Sequence, residues 1–293
     1  MSEIIQFLEV TFGPLAFIFT ASNLAVMGLQ VKSAEMVAGL KNPKVLAVIF
    51  LWGWVLGPAL AFLIAWALPL SDAFVVGLLL YSLAPCAPFL PLMVPKARGD
   101  MSFAGAVVPL VAIGTVIFAP IMAPLLIDDV TLSAWALAKL FFLGVLLPLA
   151  IGAALREYAG TVAKKILPAV DVIAKLSTVA VVVVACVLYW REMLATAGSF
   201  GLLSMTIFMV LMGLITYRRF PFRLKRSQRS VMSLAMLSRN GSVVLLATLT
   251  IPDVDPSIVT YVVMFVFWMF VIAAIAARIF AKLAGKNAAE STA

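Results

Sequence analysis

The 293-residue sequence contains no histidine. That removes the commonest general base near neutral pH and the commonest metal ligand. Cysteine is almost as scarce: Cys86 and Cys186 are the only two, both within apolar runs. Neither a disulfide framework nor a cysteine-rich metal site is implied. Charge is also in short supply, at 12% of residues, about half of what a soluble chain carries. There is no P-loop, no HExxH, no mid-span carboxylate pair and no Ser/His arrangement. These absences speak against an ATP-driven pump and against intramembrane hydrolysis, and leave no enzyme, cofactor or metal site to assign. The opening "MSEIIQFLEV" has no basic stretch and no small-residue cleavage site, so no signal peptide is expected.

What the chain has is apolar length. It is 65% hydrophobic with mean hydropathy +1.17. Runs of about 20 apolar residues, the spanning length of a helix in a bilayer, recur from end to end. The ten-residue alternation of a membrane β-barrel is missing. The pattern predicts an all-α polytopic membrane protein with nine spans: 4–31, 44–70, 72–95, 101–127, 133–156, 167–190, 199–218, 229–250 and 255–283.

The net charge of +8 reflects where the basic residues lie rather than an affinity for nucleic acid. Successive connections alternate. One set carries Lys32, Lys41 and Lys44, then Lys96 and Arg98, then Arg156, Lys164 and Lys165, then six Arg or Lys in "YRRFPFRLKRSQRS" (217–230), and finally Arg278, Lys282 and Lys286. The other set carries Asp72, Asp128 and Asp129, Glu192 beside Arg191, Asp253 and Asp255. Lys/Arg excess marks the cytoplasmic side. The expectation is a cytoplasmic (inner) membrane protein with its N-terminus outside and its C-terminus inside.

Two spans are interrupted. The third runs into "YSLAPCAPFLPLMVPKARGD" (81–100), with Pro85, Pro88, Pro91 and Pro95. Each proline removes a backbone donor. The eighth carries Ser238-Arg239-Asn240-Gly241-Ser242 at its middle. The two lie five spans apart, so they correspond if the chain is one transmembrane domain (1–293) of two inverted repeats. These would be about 1–130 and 131–285, followed by a tail at 286–293. Paired interrupted spans point to a transporter's binding site near the bilayer midplane. Pro14, Pro58, Pro109, Pro120, Pro124 and Pro148 read as ordinary kinks.

Arg239 is the sharpest residue, because an arginine in mid-span is expensive and usually marks a pathway. Two readings are open: it faces an anion, or it ties backbone carbonyls. Asp171 offers no counter-ion, since Lys175 at i+4 claims it. Lys139 and Glu9 lie near the outer face. Thr20 and Asn23 in "TASN" are either site residues or interhelical glue. Cys86 is either a solute contact or a small buried hydrophobe.

Four pieces together resemble the bile acid:sodium symporter family: "MGLQVKSAEMVAGLKNPK" (27–44), "APCAPFLPLMVPKARGD" (84–100), "LLPLAIGAAL" (146–155) and "SRNGSVVLLATL" (238–249). The resemblance implies a core domain and a panel domain, inverted repeats, two crossing broken helices (spans three and eight) and transport of organic anions. Sodium-coupled members carry Ser-Asn after a Pro-Gly-Gly motif; those positions fall on Leu90 and Pro91 here. Their Glu-x-Gly-x-Gln-Asn falls with Asn on Asn240, Gln on Arg239 and Glu on Ala235. The related arsenite permeases carry Ala-Pro-Cys, matched by Ala84-Pro85-Cys86, and an acidic residue that falls near Ser242. The first expectation is therefore a secondary transporter of a small organic anion without the usual sodium coupling. Arg239, Asn240, Ser238 and Ser242 would hold the anion, with Pro85, Cys86, Pro88, Asn23 and Thr20 around it. A metalloid permease using Cys86 and a flux-free receptor using the 217–230 loop are the rivals.

Overall fold

The structure is a computed structural model that describes residues 2–30, 41–127, 133–197, 199–219 and 224–290, with 34, 37 and 39 described singly. Lys32, Asp128, Asp129 and Arg223, used above for orientation, lie outside the described residues. Seven helices among them are long and apolar enough to cross a membrane. They are α1 (Ser2–Gln30), α2 (Val45–Ala67), α5 (Met101–Leu126), α6 (Ala134–Tyr158), α7 (Gly160–Ala197), α8 (Gly201–Arg219) and α11 (Pro256–Glu290). The remaining α-helical pieces come in two pairs, α3 (Asp72–Ser82) with α4 (Leu90–Met93), which a 3-10 turn at Pro95–Ala97 follows, and α9 (Arg226–Leu237) with α10 (Gly241–Thr248). The chain is a nearly all-helical, multi-pass membrane protein.

Local chemistry sets the helix ends. Asp100 caps α5 by accepting the Phe103 N–H at 3.0 Å, and Ser133 caps α6 by accepting the Ala136 N–H at 3.3 Å. Each satisfies one of the donors that a helix start leaves free. Pro58 and Pro148 do more than kink their helices. Each follows a π-helical segment, Leu51–Leu56 and Phe142–Leu146. A proline cannot donate to the carbonyl four residues back, and a wide turn before it lets the backbone bond over a longer interval. Gly57 N–H reaches Trp52 O in this way.

Two helices outrun their predicted spans. α7 begins at Gly160 where 167 was expected and carries on beyond a non-helical kink at Tyr189 to Ala197, and α11 runs to Glu290 where a tail was expected from 286. Hydropathy reads the thickness of hydrocarbon, whereas the helix continues into the polar zone as long as its backbone bonds close.

α1 packs most extensively on α6 and α7. Its crossing with α6 passes through Gly28 and Gly152. A Cβ on Gly152 would lie 2.6 Å from Ala25 O, and one on Gly28 would strike Leu149 O. Spacing along one helix hides this contact, because the two glycines lie on different helices. Trp54 of α2 is buried against Gly114 of α5, which has no side chain in the way.

Candidate functional site

The first break falls at residues 83–89, and three successive carbonyls before and within it need donors. In an unbroken helix Ala84 O would accept from residue 88, but residue 88 is proline. Asn240 N–H supplies the bond instead, at 2.8 Å. Leu83 O accepts from the Trp54 indole N–H at 3.0 Å. Ser82 O accepts from Arg239 Nη1 at 3.1 Å. In return Cys86 N–H donates to Ala235 O and Ser238 O, both at 3.0 Å, and Ala87 N–H donates to Ser238 Oγ at 3.2 Å. Pro85 and Arg239 form an antiparallel bridge. The two breaks cross and satisfy each other's backbone, which is the condition for irregular chain at membrane depth.

Two residues make this junction possible. Cys86 adopts the left-handed conformation at φ 68°, costly for a residue with a Cβ, and this turns its N–H toward the second break. Asn240 caps α10: its Oδ1 accepts from Val243 N–H at 3.3 Å and Ser242 Oγ–H at 2.7 Å.

A cavity of about 310 Å³ lies against the crossing, walled by α1, α7, α11 and the start of α10. Of the residues singled out from the sequence, Arg239, Ser242, Pro88 and Asn23 line it. Pro85, Cys86, Ser238, Asn240 and Thr20 do not. They sit behind it, and Thr20 bonds Ser242 O at 3.1 Å, tying α1 to α10. Asn23 lines the cavity and also reaches Thr178 of α7 at 3.3 Å. Phe89 and Phe270 stack at 4.2 Å on the cavity's apolar side.

The Arg239 side chain is fully buried, and its guanidinium points into the packed side of the crossing. Its contacts there are Ser82 O and the Phe208 ring, 4.8 Å from Cζ, and neither residue lines the cavity. A Cβ on Gly57 would lie 3.0 Å from Ser82 O, the carbonyl that Arg239 serves, so glycine lets α2 come close to that carbonyl, while Nη2 at 3.4 Å would be in ordinary contact. Among the described residues Arg239 has no carboxylate partner, and its Nε and Nη2 have no hydrogen-bond acceptor. Its backbone faces the other way, with N–H on Met269 Sδ at 2.9 Å, and Met269 does line the cavity.

Sequence reading set aside two cavity residues of α7, Asp171 and Lys175, and did not consider a third, Thr178. Asp171 and Lys175 are paired, as their i, i+4 spacing suggested. The same spacing, continued to Thr178 at i+7, marks one helix face, and that face was the available signal. No three His, Cys, Asp or Glu side chains converge on a metal position among the described residues.

Interrupted helices that bond across their breaks beside a cavity, set among continuous apolar helices, mark a membrane protein built on crossed discontinuous helices. The chain belongs to the Sodium Bile acid symporter family, whose profile matches residues 17–196, more than half its length. It is similar to two proteins described as probable sodium/metabolite cotransporters, both chloroplastic: BASS3 of Arabidopsis thaliana and BASS2 of Oryza sativa subsp. japonica. Each is 28% identical over 153 residues, covering 52% of this chain and 36% of the relative. The match therefore takes in about a third of each relative's length. The second break, at 238–240, lies beyond the stretch that the family profile covers.

Proposed function

We propose that this chain is a secondary transporter of a small organic anion, with seven continuous and two interrupted spans making nine passes. The observation that carries the reading is the mutual bonding of the two breaks at the wall of a cavity. Two bodies would alternate access: a panel of α1, α6 and α7, supported by their glycine-mediated packing, and a core of the remaining helices around the crossing. The basic connections support an N-terminus outside and a C-terminus in the cytoplasm.

Anion selectivity is supported from two directions. The N-terminus of α10 meets the cavity at Gly241 and Ser242, and a helix start carries partial positive charge. The Arg239 guanidinium lies just behind it without a counter-ion among the described residues. Sodium independence is supported by the side chains at the positions the family resemblance implies. Leu90, Pro91 and Ala235 offer no side-chain oxygen, the Ala235 carbonyl already accepts the Cys86 N–H, and Arg239 brings a cation. The metalloid alternative has less support, because the Cys86 thiol is buried and outside the cavity lining.

The test is uptake of labelled aliphatic and aromatic carboxylates into proteoliposomes, with sodium or with potassium as the only cation. Similar uptake in both supports the reading. Collapse to background in potassium overturns sodium independence. Absence of uptake for every carboxylate overturns anion transport.

A further inference from the structure

A second, separate cavity of about 450 Å³ opens on the outer face of the bundle between α1, α6 and α7. Its walls are apolar, with Ile18, Ala21 and Leu29 from α1, Ile151 and Leu155 from α6, and Ile166 from α7. Ile18 and Ile151 are half exposed, so the groove faces the surrounding medium. Along α1 its lining residues run from Phe17 to Leu29, a rise of about 18 Å at 1.5 Å per residue. The hydroxyl of Ser22, the groove's polar side chain, is engaged with Ile18 O and Ser177.

One end of the groove is chemically distinct. Leu155 and Ile166 close it, and next to them in sequence stand Arg156 and the pair Lys164–Lys165. None of these three cations is ion-paired among the described residues. Counting Glu157, the stretch 156–165 carries three positive charges and one negative, a net of +2. Tyr158, at the same turn, is 89% exposed, as aromatic residues at a membrane–water boundary are.

From this juxtaposition we propose that the groove binds an anionic glycerophospholipid, with an acyl chain along α1 and the phosphate on Arg156, Lys164 and Lys165. A basic cluster at the membrane-surface end of an apolar slot suits an anionic headgroup. The groove's length suits a hydrocarbon chain. A second copy of this protein suits it less well: both copies would insert with the same orientation and bring their basic ends together at one level of the membrane, like charge against like.

The experiment is native mass spectrometry of the full chain, released from nanodiscs holding equal amounts of phosphatidylglycerol and phosphatidylcholine with identical acyl chains. One phosphatidylglycerol should be retained about thirtyfold over phosphatidylcholine, the order that two net charges near a headgroup supply. Arg156→Gln with Lys164→Gln and Lys165→Gln should abolish the preference. Arg278→Gln with Lys282→Gln, removing charge of the same sign away from the groove, should leave it. Ala21→Phe, which fills the groove and spares every cation, should lower retention of both lipids, and it carries the test alone if the triple variant fails to fold. Equal retention of the two lipids overturns the proposal. So does a preference that survives the triple variant or vanishes with the control pair, or retention unchanged in Ala21→Phe. Efficient disulfide cross-linking between copies through Ile151→Cys would put a second chain in the groove and overturn it as well.

Discussion

The first break is made by groups that are missing, and the second by groups that are present. Residues 83–89 interrupt their helix because Pro85 and Pro88 have no N–H, which strands carbonyls. Residues 238–240 contain no proline. There the helix stops because a serine, an arginine and an asparagine find better partners across the crossing than along their own axis. Ser238 Oγ accepts the Ala87 N–H, Arg239 Nη1 serves Ser82 O, and Asn240 both donates to Ala84 O and caps α10. The first break leaves carbonyls that Arg239, Asn240 and Trp54 fill, and the second accepts the Cys86 and Ala87 N–H groups in return. Either one alone would leave buried polar groups unsatisfied at about 1–3 kcal/mol each, so neither interruption is stable without its counterpart.

Arg239→Met keeps most of the side-chain volume and deletes the charge and the donors. Carboxylate uptake should fall at least about thirtyfold, the low end of the roughly 2–5 kcal/mol that removing one member of a buried charge pair costs. Arg239→Lys should restore only part of it, since an ammonium lacks the planar fork. Wild-type uptake in the methionine variant, with a lowered melting temperature, would reduce Arg239 to a tie for Ser82 O.

Pro88→Ala attacks the other side. It restores an N–H that competes with Asn240 for Ala84 O, weakening a bond worth about 1 kcal/mol. Uptake should drop several-fold in vesicles while the protein still melts cooperatively. Unchanged uptake would mean that the proline break is dispensable.

Asn240→Ala should cost about 1 kcal/mol through loss of the cap. Asn240→Asp should keep the cap and the melting temperature, yet lower uptake by setting a negative charge at the cavity's edge. Equal uptake in the aspartate variant and the wild type would remove the electrostatic argument at α10.

The smallest effect belongs to Thr20→Val. Loss of its bond to Ser242 O should lower stability by about 0.6 kcal/mol, the mean for hydrogen bonds between membrane helices, with uptake intact. A large fall in uptake would make Thr20 a substrate contact rather than a tie.

Seven of the spans and both interruptions were legible in the sequence because apolar length, proline and clustered polar residues are signals carried by residue type. The crossing itself was legible only as a correspondence of position. The direction of Arg239 was not legible, because its partner is a main-chain carbonyl, and every residue has one. The Gly57 that lets α2 come close to that Ser82 carbonyl lies far from Arg239 in sequence, and no spacing rule connects the two. Lys175 and Asp171 were visible as an i, i+4 pair, but an ion pair on a helix gives no indication of the cavity beside it. The groove between α1, α6 and α7 depends on Gly28 meeting Gly152 across two helices, a contact that periodicity within either helix does not encode.

The cation of Arg239 also has an electrical consequence on the proposed reading. A unit charge crossing the full membrane potential exchanges about 2.3 kcal/mol per 100 mV. If the core body moves relative to the bilayer, Arg239 moves with it. Loaded with a monovalent anion, the moving site is close to neutral and insensitive to voltage. Empty, it carries one positive charge, and an inside-negative potential holds it facing the cytoplasm. Anion-for-anion exchange, in which both half-cycles run loaded, should then proceed at the same rate at any potential. Net import, which requires the empty site to return outward, should slow as the interior is made more negative, and net export should quicken. A potassium-valinomycin potential imposed on proteoliposomes separates these cases; in Arg239→Met the empty site is neutral and the loaded site carries one negative charge, so whatever exchange remains should become voltage-dependent.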